Sequence, residues 1–150
     1  NDVVEEDGYG NANVVVNTQH RNSQGMKMQD DMPNWLKTKR QLQNIVEEYA
    51  KNNGIEITSQ ENYRIIKYKA GSGFFAEHID HSHTTQRKIS LILYLNTVSE
   101  GGETYFKARD LFIKPKSGTV ILFKSDDEEN VHEGLKSMNE DKYIIVNWFN

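Results

Sequence analysis

The sequence predicts a mainly β domain, a sandwich or barrel, with a single helix near its N-terminal end. Three observations predict it. Beyond Gly54 the apolar residues recur with a period of two, as in strands, rather than with the helical period. The segments concerned are short, rich in β-branched and aromatic residues, and parted by Gly, Asn, Asp or Ser. Upstream, one segment holds helical spacing long enough for a helix of several turns.

Taken in order, residues 1–12, "NDVVEEDGYGNA", are polar and Gly-containing and are expected to be ragged. Val14, Val15 and Val16 form a short β-prone run, and "TQHRNSQGM" reads as a loop. The helix is expected over 31–53. Asp30 or Asp31 can cap it, and Pro33 stands near its first turn, where a missing N–H costs little. Trp35, Leu42, Ile45, Val46 and Tyr49 form its apolar stripe, and Asn53-Gly54 ends it. The β body covers 60–150, with strands in "NYRIIKYKA", "KISLILYLN", "ETYF", "LFIKP", "GTVILF" and "YIIVNWF". Strands in unbroken succession, with no helix between them, favour a sandwich or barrel over a parallel α/β sheet. The 150 residues contain no internal repeat or low-complexity linker and read as one domain.

Composition narrows the function. A formal charge of −4 offers no broad basic surface for nucleic acid or anionic lipid. No apolar run approaches the ~20 residues of a membrane span. The chain has no Cys, which removes disulfides and thiolate metal sites. With no leader-like opening, the expectation is a cytoplasmic or otherwise soluble intracellular protein without nucleic-acid or membrane partners.

The chemistry concentrates in "EHIDHSH", residues 77–83. Residues two apart on a strand share a face, so His78/Asp80 and His81/His83 are two candidate chelates. An HxH metal motif needs a carboxylate a few residues on, but Arg87 and Lys88 stand there, so His81 and His83 read as loop or pocket rim. His78 and Asp80 have a possible third ligand in His132. Two imidazoles and one carboxylate suit Fe(II) and leave coordination positions open. On these residues alone, a satisfied surface His and Asp remains the competing reading.

More of the chain bears on the choice. His78-x-Asp80, Gln86-Arg87, "LYLN" at 93–96, "GGETYF" at 101–106, "IKPKSGTVILF", His132-x-Gly134, Lys142 and Trp148 occur in that order. "RNSQGM" at 21–26 precedes them. In this order and spacing, the stretch from Tyr63 to Trp148 resembles the catalytic core of the 2-oxoglutarate/Fe(II) dioxygenases, specifically the prolyl 4-hydroxylase family. The resemblance implies a double-stranded β-helix (jelly-roll) core with Fe(II) held by His78, Asp80 and His132. It implies that Lys142, ten positions after His132, holds the distal carboxylate of 2-oxoglutarate. The physics agrees, since a dicarboxylate entering a barrel needs a buried cation. Tyr94 and Tyr68 match tyrosines of the cosubstrate pocket. Tyr94 is the favoured contact and Tyr68 is evenly balanced against simple packing. Thr104 lines the same pocket or merely opens a strand. Arg87 matches a peptide-binding position or is an exposed edge charge, and Trp148 lines the substrate mouth or closes the core.

The implied reaction consumes O2 and 2-oxoglutarate, with ascorbate as reductant, and hydroxylates a C–H bond with release of succinate and CO2. Asp80 favours hydroxylation over halogenation, because halogenating relatives lack that carboxylate. A prolyl residue in a peptide or protein is the leading substrate. A free amino acid or other small molecule comes next, and a β-barrel binding module without turnover is the rival from another class. Phe75, where the family often has Tyr, Val146, where it has a hydroxyl residue, and the short loop from Asp80 to Arg87 depart from the pattern and bear on substrate choice.

Overall fold

The structure, a computed structural model, describes residues 3–6, 12–15 and 19–150, with side chains from residue 19 onward. Its strands are β1 (Val3–Glu6), β2 (Ala12–Val15), β3 (Arg21–Asn22), β4 (Gln24–Lys27), β5 (Arg64–Tyr68) and β6 (Phe74–His78). They continue with β7 (Ile89–Tyr94), β8 (Thr104–Phe106), β9 (Leu111–Ile113), β10 (Val120–Lys124), β11 (His132–Gly134) and β12 (Lys142–Phe149). The helix α1 spans Trp35–Asn52. One antiparallel sheet runs β10-β7-β12-β5-β4 and a second runs β3-β6-β11-β8-β9. Together they make the expected mainly β architecture, a double-stranded β-helix with one N-terminal helix.

Period two sorts the first sheet into two faces. On β7, Ile89, Leu91 and Leu93 face outward to α1, while Ile92 and Tyr94 face the second sheet. On β12, Ile145 and Phe149 go to the helix side, and Ile144 and Val146 go inside. Covered on both faces, β7 is buried along its whole length, which is why "ISLILY" is nearly continuously apolar. Trp35, Leu42, Val46 and Ala50 of α1 complete the outer cluster. Each large side chain buried there contributes roughly 1.5–3 kcal/mol. Inside, Ile66, Phe106, Ile121 and Phe123 join the inner residues of β7 and β12 in a second apolar cluster between the sheets. Ile92, Ile144 and Val146 of that cluster also line the cleft that carries the polar residues.

Several expectations change. The helix starts at Trp35, not 31, and Asn34 precedes it in the left-handed region (φ 61°) without a side-chain cap. Asp30 instead accepts from Lys39 Nζ at 2.8 Å, which takes it away from the capping position. Ile45 is 42% exposed, and Ala50 takes its place on the buried stripe. The helix does end at Asn53-Gly54, with Gly54 at φ 64°. "RNSQGM" is not a loop. Its residues form edge strands in both sheets, Arg21–Asn22 beside β6 and Gln24–Lys27 beside β5. Edge strands half exposed to solvent need no apolar alternation, so the pattern was silent. Within 1–12, Val3–Glu6 pairs with Ala12–Val15, where a ragged segment was expected. Residues 1, 2 and 7–11, and Val16 of the valine run, lie outside the described residues.

Candidate active site

The site is assembled across strands. His78 ends β6 and His132 begins β11, and the two are direct partners in the antiparallel register. Their ring centroids lie 4.3 Å apart. Asp80 follows β6 by two residues and turns its carboxylate to both imidazoles. Its Oδ1 is 3.4 Å from His78 Nε2 and its Oδ2 is 3.9 Å from His132 Nε2. One ligand atom from each residue falls within 4.8 Å of the other two.

Both rings are held by their other nitrogen. His78 Nδ1 lies 2.8 Å from the Ala76 carbonyl, and His132 Nδ1 lies 2.9 Å from that of Asn130. A carbonyl only accepts, so each Nδ1 carries a proton and each Nε2 faces the shared space. Aromatic walls fix the planes. Phe75 stacks on His78 at 3.6 Å, and Phe123 meets His132 edge-on at 4.9 Å.

Asp80 is supported from beneath. Ser90 Oγ donates to its Oδ2 at 2.7 Å, and Ser125 Oγ lies 2.7 Å from Ser90 Oγ. Ser90 spends its one proton on Asp80, so Ser125 must donate to Ser90. Burial pushes the Asp80 carboxyl up. The hydrogen bond from His78, the His132 and His78 charges and the bond from Ser90 outweigh it and hold the group well below the usual carboxylate range. Burial keeps His132 below its ordinary value against the pull of Asp80. Asp80 is therefore held as the anion, and a divalent metal bound here would take the place of the imidazole protons that face it.

Lys142 lies deeper in the same cleft. It is 2% exposed. Its Nζ donates to the Gly102 carbonyl at 2.8 Å and sits 4.7 Å from the centre of the Tyr68 ring. Among the described residues no carboxylate lies in ion-pair range of it. Burial lowers its pKa to about 8, partly opposed by the more distant Glu103.

The remaining candidates sort as follows. Thr104 and Tyr68 line the cleft. Tyr94 is fully buried, with its hydroxyl 2.6 Å from Thr104 Oγ1 and 3.2 Å from the Ile113 carbonyl. Burial pushes its pKa up to about 12. The phenol thus reaches the cleft only through Thr104, while Tyr68, the weaker candidate on sequence, forms part of the wall. Arg87 is no free edge charge. It grips Glu61 through two bonds of 2.6 and 3.0 Å and lies 3.8 Å over the Trp148 ring. Trp148 does both, lining the cleft while it packs against the inner core cluster. His81 is taken up by the Arg87 carbonyl at 2.9 Å, and His83 is exposed.

Sequence reasoning overlooked Ser90, Ser125, Glu61 and Arg64. Ser90 had a signal, as the lone polar residue on the inward face of an apolar strand. Ser125 had none, because only the tertiary fold brings it under Ser90.

The fold and site define a class, an antiparallel β-barrel whose mouth carries two histidines and a carboxylate beside a buried lysine with no counter-ion among the described residues. A family model for the 2OG-Fe(II) oxygenase superfamily matches residues 63–150, and the chain belongs to that superfamily. Prolyl 4-hydroxylase 13 of Arabidopsis thaliana is 25% identical, across 59% of this chain and 42% of that protein. Prolyl 4-hydroxylase 1 of the same plant is 26% identical, across 54% and 35%. The chain thus spans less than half the length of these curated relatives. A viral collagen prolyl hydroxylase from Paramecium Bursaria Chlorella virus-1, solved as a 2OG complex, matches with a TM-score of 0.73 and 26% identity over 87% of this chain and 79% of that one. A Pseudomonas putida prolyl-4-hydroxylase shares the fold (TM-score 0.74, 17% identity, 89% and 74% covered).

Proposed function

We propose that this chain is an Fe(II)- and 2-oxoglutarate-dependent dioxygenase that hydroxylates a prolyl residue in a peptide or protein. One observation carries the reading: His78, Asp80 and His132 converge beside a buried lysine that has no counter-ion among the described residues. Unpaired burial of a cation is costly, and an anionic ligand relieves that cost. The donor set fits Fe(II), with two neutral imidazole nitrogens and one carboxylate oxygen that leave positions for other ligands.

His78, Asp80 and His132 would hold the metal, and Lys142 the distal carboxylate of 2-oxoglutarate, with Thr104 and Tyr68 beside it. When bound, Fe(II) and 2-oxoglutarate supply the oxidation, in which O2 is consumed, the keto acid leaves as succinate and CO2, and one oxygen atom enters the substrate C–H bond. The protein orients and desolvates. Ala76 and Asn130 fix the imidazoles, Ser90 and Ser125 hold Asp80, and Phe75, Phe106 and Phe123 keep water from the far side of the ligands. Trp148, stacked by Arg87, forms an apolar wall for the pyrrolidine ring of the substrate.

The test incubates the protein with Fe(II), 2-oxoglutarate, ascorbate and a library of Pro-containing peptides. The expected result is succinate release together with one added oxygen on a prolyl residue, located by tandem mass spectrometry. Succinate with oxygen found only on other residues or on free amino acids would refute the prolyl assignment and leave the dioxygenase.

A further inference from the structure

Next to the metal cleft lies a wider groove, and its charge is unbalanced. Arg21, Arg64 and Arg87 line it, against Glu61 and the ligand Asp80. Glu61 is committed to Arg87 by its two-bond grip. Arg21 donates its Nε to Ser23 Oγ at 2.8 Å and lies 4.5 Å over the Phe75 ring, which stacks in turn on His78. Neither Arg21 nor Arg64 has a carboxylate in ion-pair range among the described residues.

Arg64 is the more telling of the two. It opens β5, and alternation places it on the same inward face as Ile66 and Tyr68, where a strand of this kind normally carries an apolar residue. It is half-buried. Burial lowers its pKa, and the like charges of Arg21 and Arg87 lower it further, against the pull of Glu61. Like guanidinium charges that repel across one groove without an ion-pairing carboxylate of their own cost stability in a protein whose net charge is −4, where acidic partners are plentiful. Such planar donor forks match a carboxylate in two-bond geometry.

On the reading of the site as a peptide hydroxylase, we infer that this groove selects peptides carrying an acidic side chain near the hydroxylated residue, with Arg64, backed by Arg21, as the residue that reads it. The groove adjoins His78 and Asp80 directly, so the acidic residue sits within a few positions of the reacting one.

The test measures binding by fluorescence anisotropy of labelled Pro-containing peptides that differ by a single Asp or Asn beside the proline. Each is prepared with a free and an amidated C-terminus. The Asp peptide should bind on the order of tenfold tighter than the Asn peptide, whichever C-terminus it carries. Arg64→Gln should abolish that preference, and Arg64→Lys, which keeps the charge, should retain part of it. Equal affinities in the wild type, no binding by any peptide, or a preference that survives Arg64→Gln would each overturn the inference. A preference that follows the free C-terminus would do so too, and would make the recognised carboxylate the end of the chain. Succinate release by the wild type, measured in parallel, separates this failure from failure of the dioxygenase reading itself.

Discussion

Ser90 is a small residue with a large expected effect, because it is the donor that fixes Asp80 Oδ2. Ser90→Ala should weaken Fe(II) or Mn(II) binding by on the order of tenfold, as read in a metal titration, with little change in fold. Unchanged affinity would mean that the imidazoles alone orient the carboxylate. Lys142 is perturbed in the opposite sense to a stabilising ion pair. Its pKa falls from 10.5 to about 8 on folding, so between those values the unfolded chain binds more protons and stability rises with pH. Below about 8 the folded protein bears the full cost of the buried charge. Lys142→Met should therefore stabilise the ligand-free protein, by about 1–3 kcal/mol in denaturant melts, while sharply raising the KM for 2-oxoglutarate. The same titration predicts that the KM for 2-oxoglutarate rises as pH passes above about 8, where the amine loses its charge. A flat KM from pH 7 to 9 would count against Lys142 as the anchor. At this scale the metal ligands and Lys142 were readable because their spacing survives in sequence. The ranking of the tyrosines was not, since whether a phenol points at a cavity or at Thr104 depends on strands far apart in the chain.

At the scale of elements, α1 is a buttress and not part of the chemistry. Leu42 is buried against the outer face of the first sheet. Leu42→Ala should cost about 2–5 kcal/mol in chemical denaturation and leave metal affinity per folded molecule unchanged. Ile45→Ala, on the exposed face, should cost far less. If the two cost the same, the packing of the helix has been misassigned. The strands β5, β7, β10 and β12 were readable from their apolar and β-branched residues, because burial in the first sheet demands them. β3, β4, β6 and β11 were not. Arg21–Asn22 and Gln24–Lys27 are polar edges, and His132–Gly134 is too short to carry a period. These strands exist because a partner strand supplies their hydrogen bonds, and pairing of that kind leaves no local mark. The cost fell on the site, since β6 and β11 are the strands that place both histidines.

For the whole molecule, the architecture sets an apolar cluster between the sheets beside a polar cleft. Ile121, Phe123 and Phe106 belong to the cluster, and the cleft gathers the metal ligands and the buried lysine next to an arginine-lined groove. An acidic protein with a cationic groove at its active mouth should bind its substrate with a marked dependence on ionic strength. The central claim is that His78, Asp80, His132 and Lys142 form one working site for Fe(II) and 2-oxoglutarate. Its most direct measurement is Fe(II)-dependent release of succinate from 2-oxoglutarate by the wild type, Asp80→Ala, His132→Ala and Lys142→Met, each shown to be folded. The account predicts turnover in the wild type, none above background in the two ligand variants, and for Lys142→Met a loss that high 2-oxoglutarate only partly restores. Wild-type rates in Asp80→Ala or His132→Ala would contradict it.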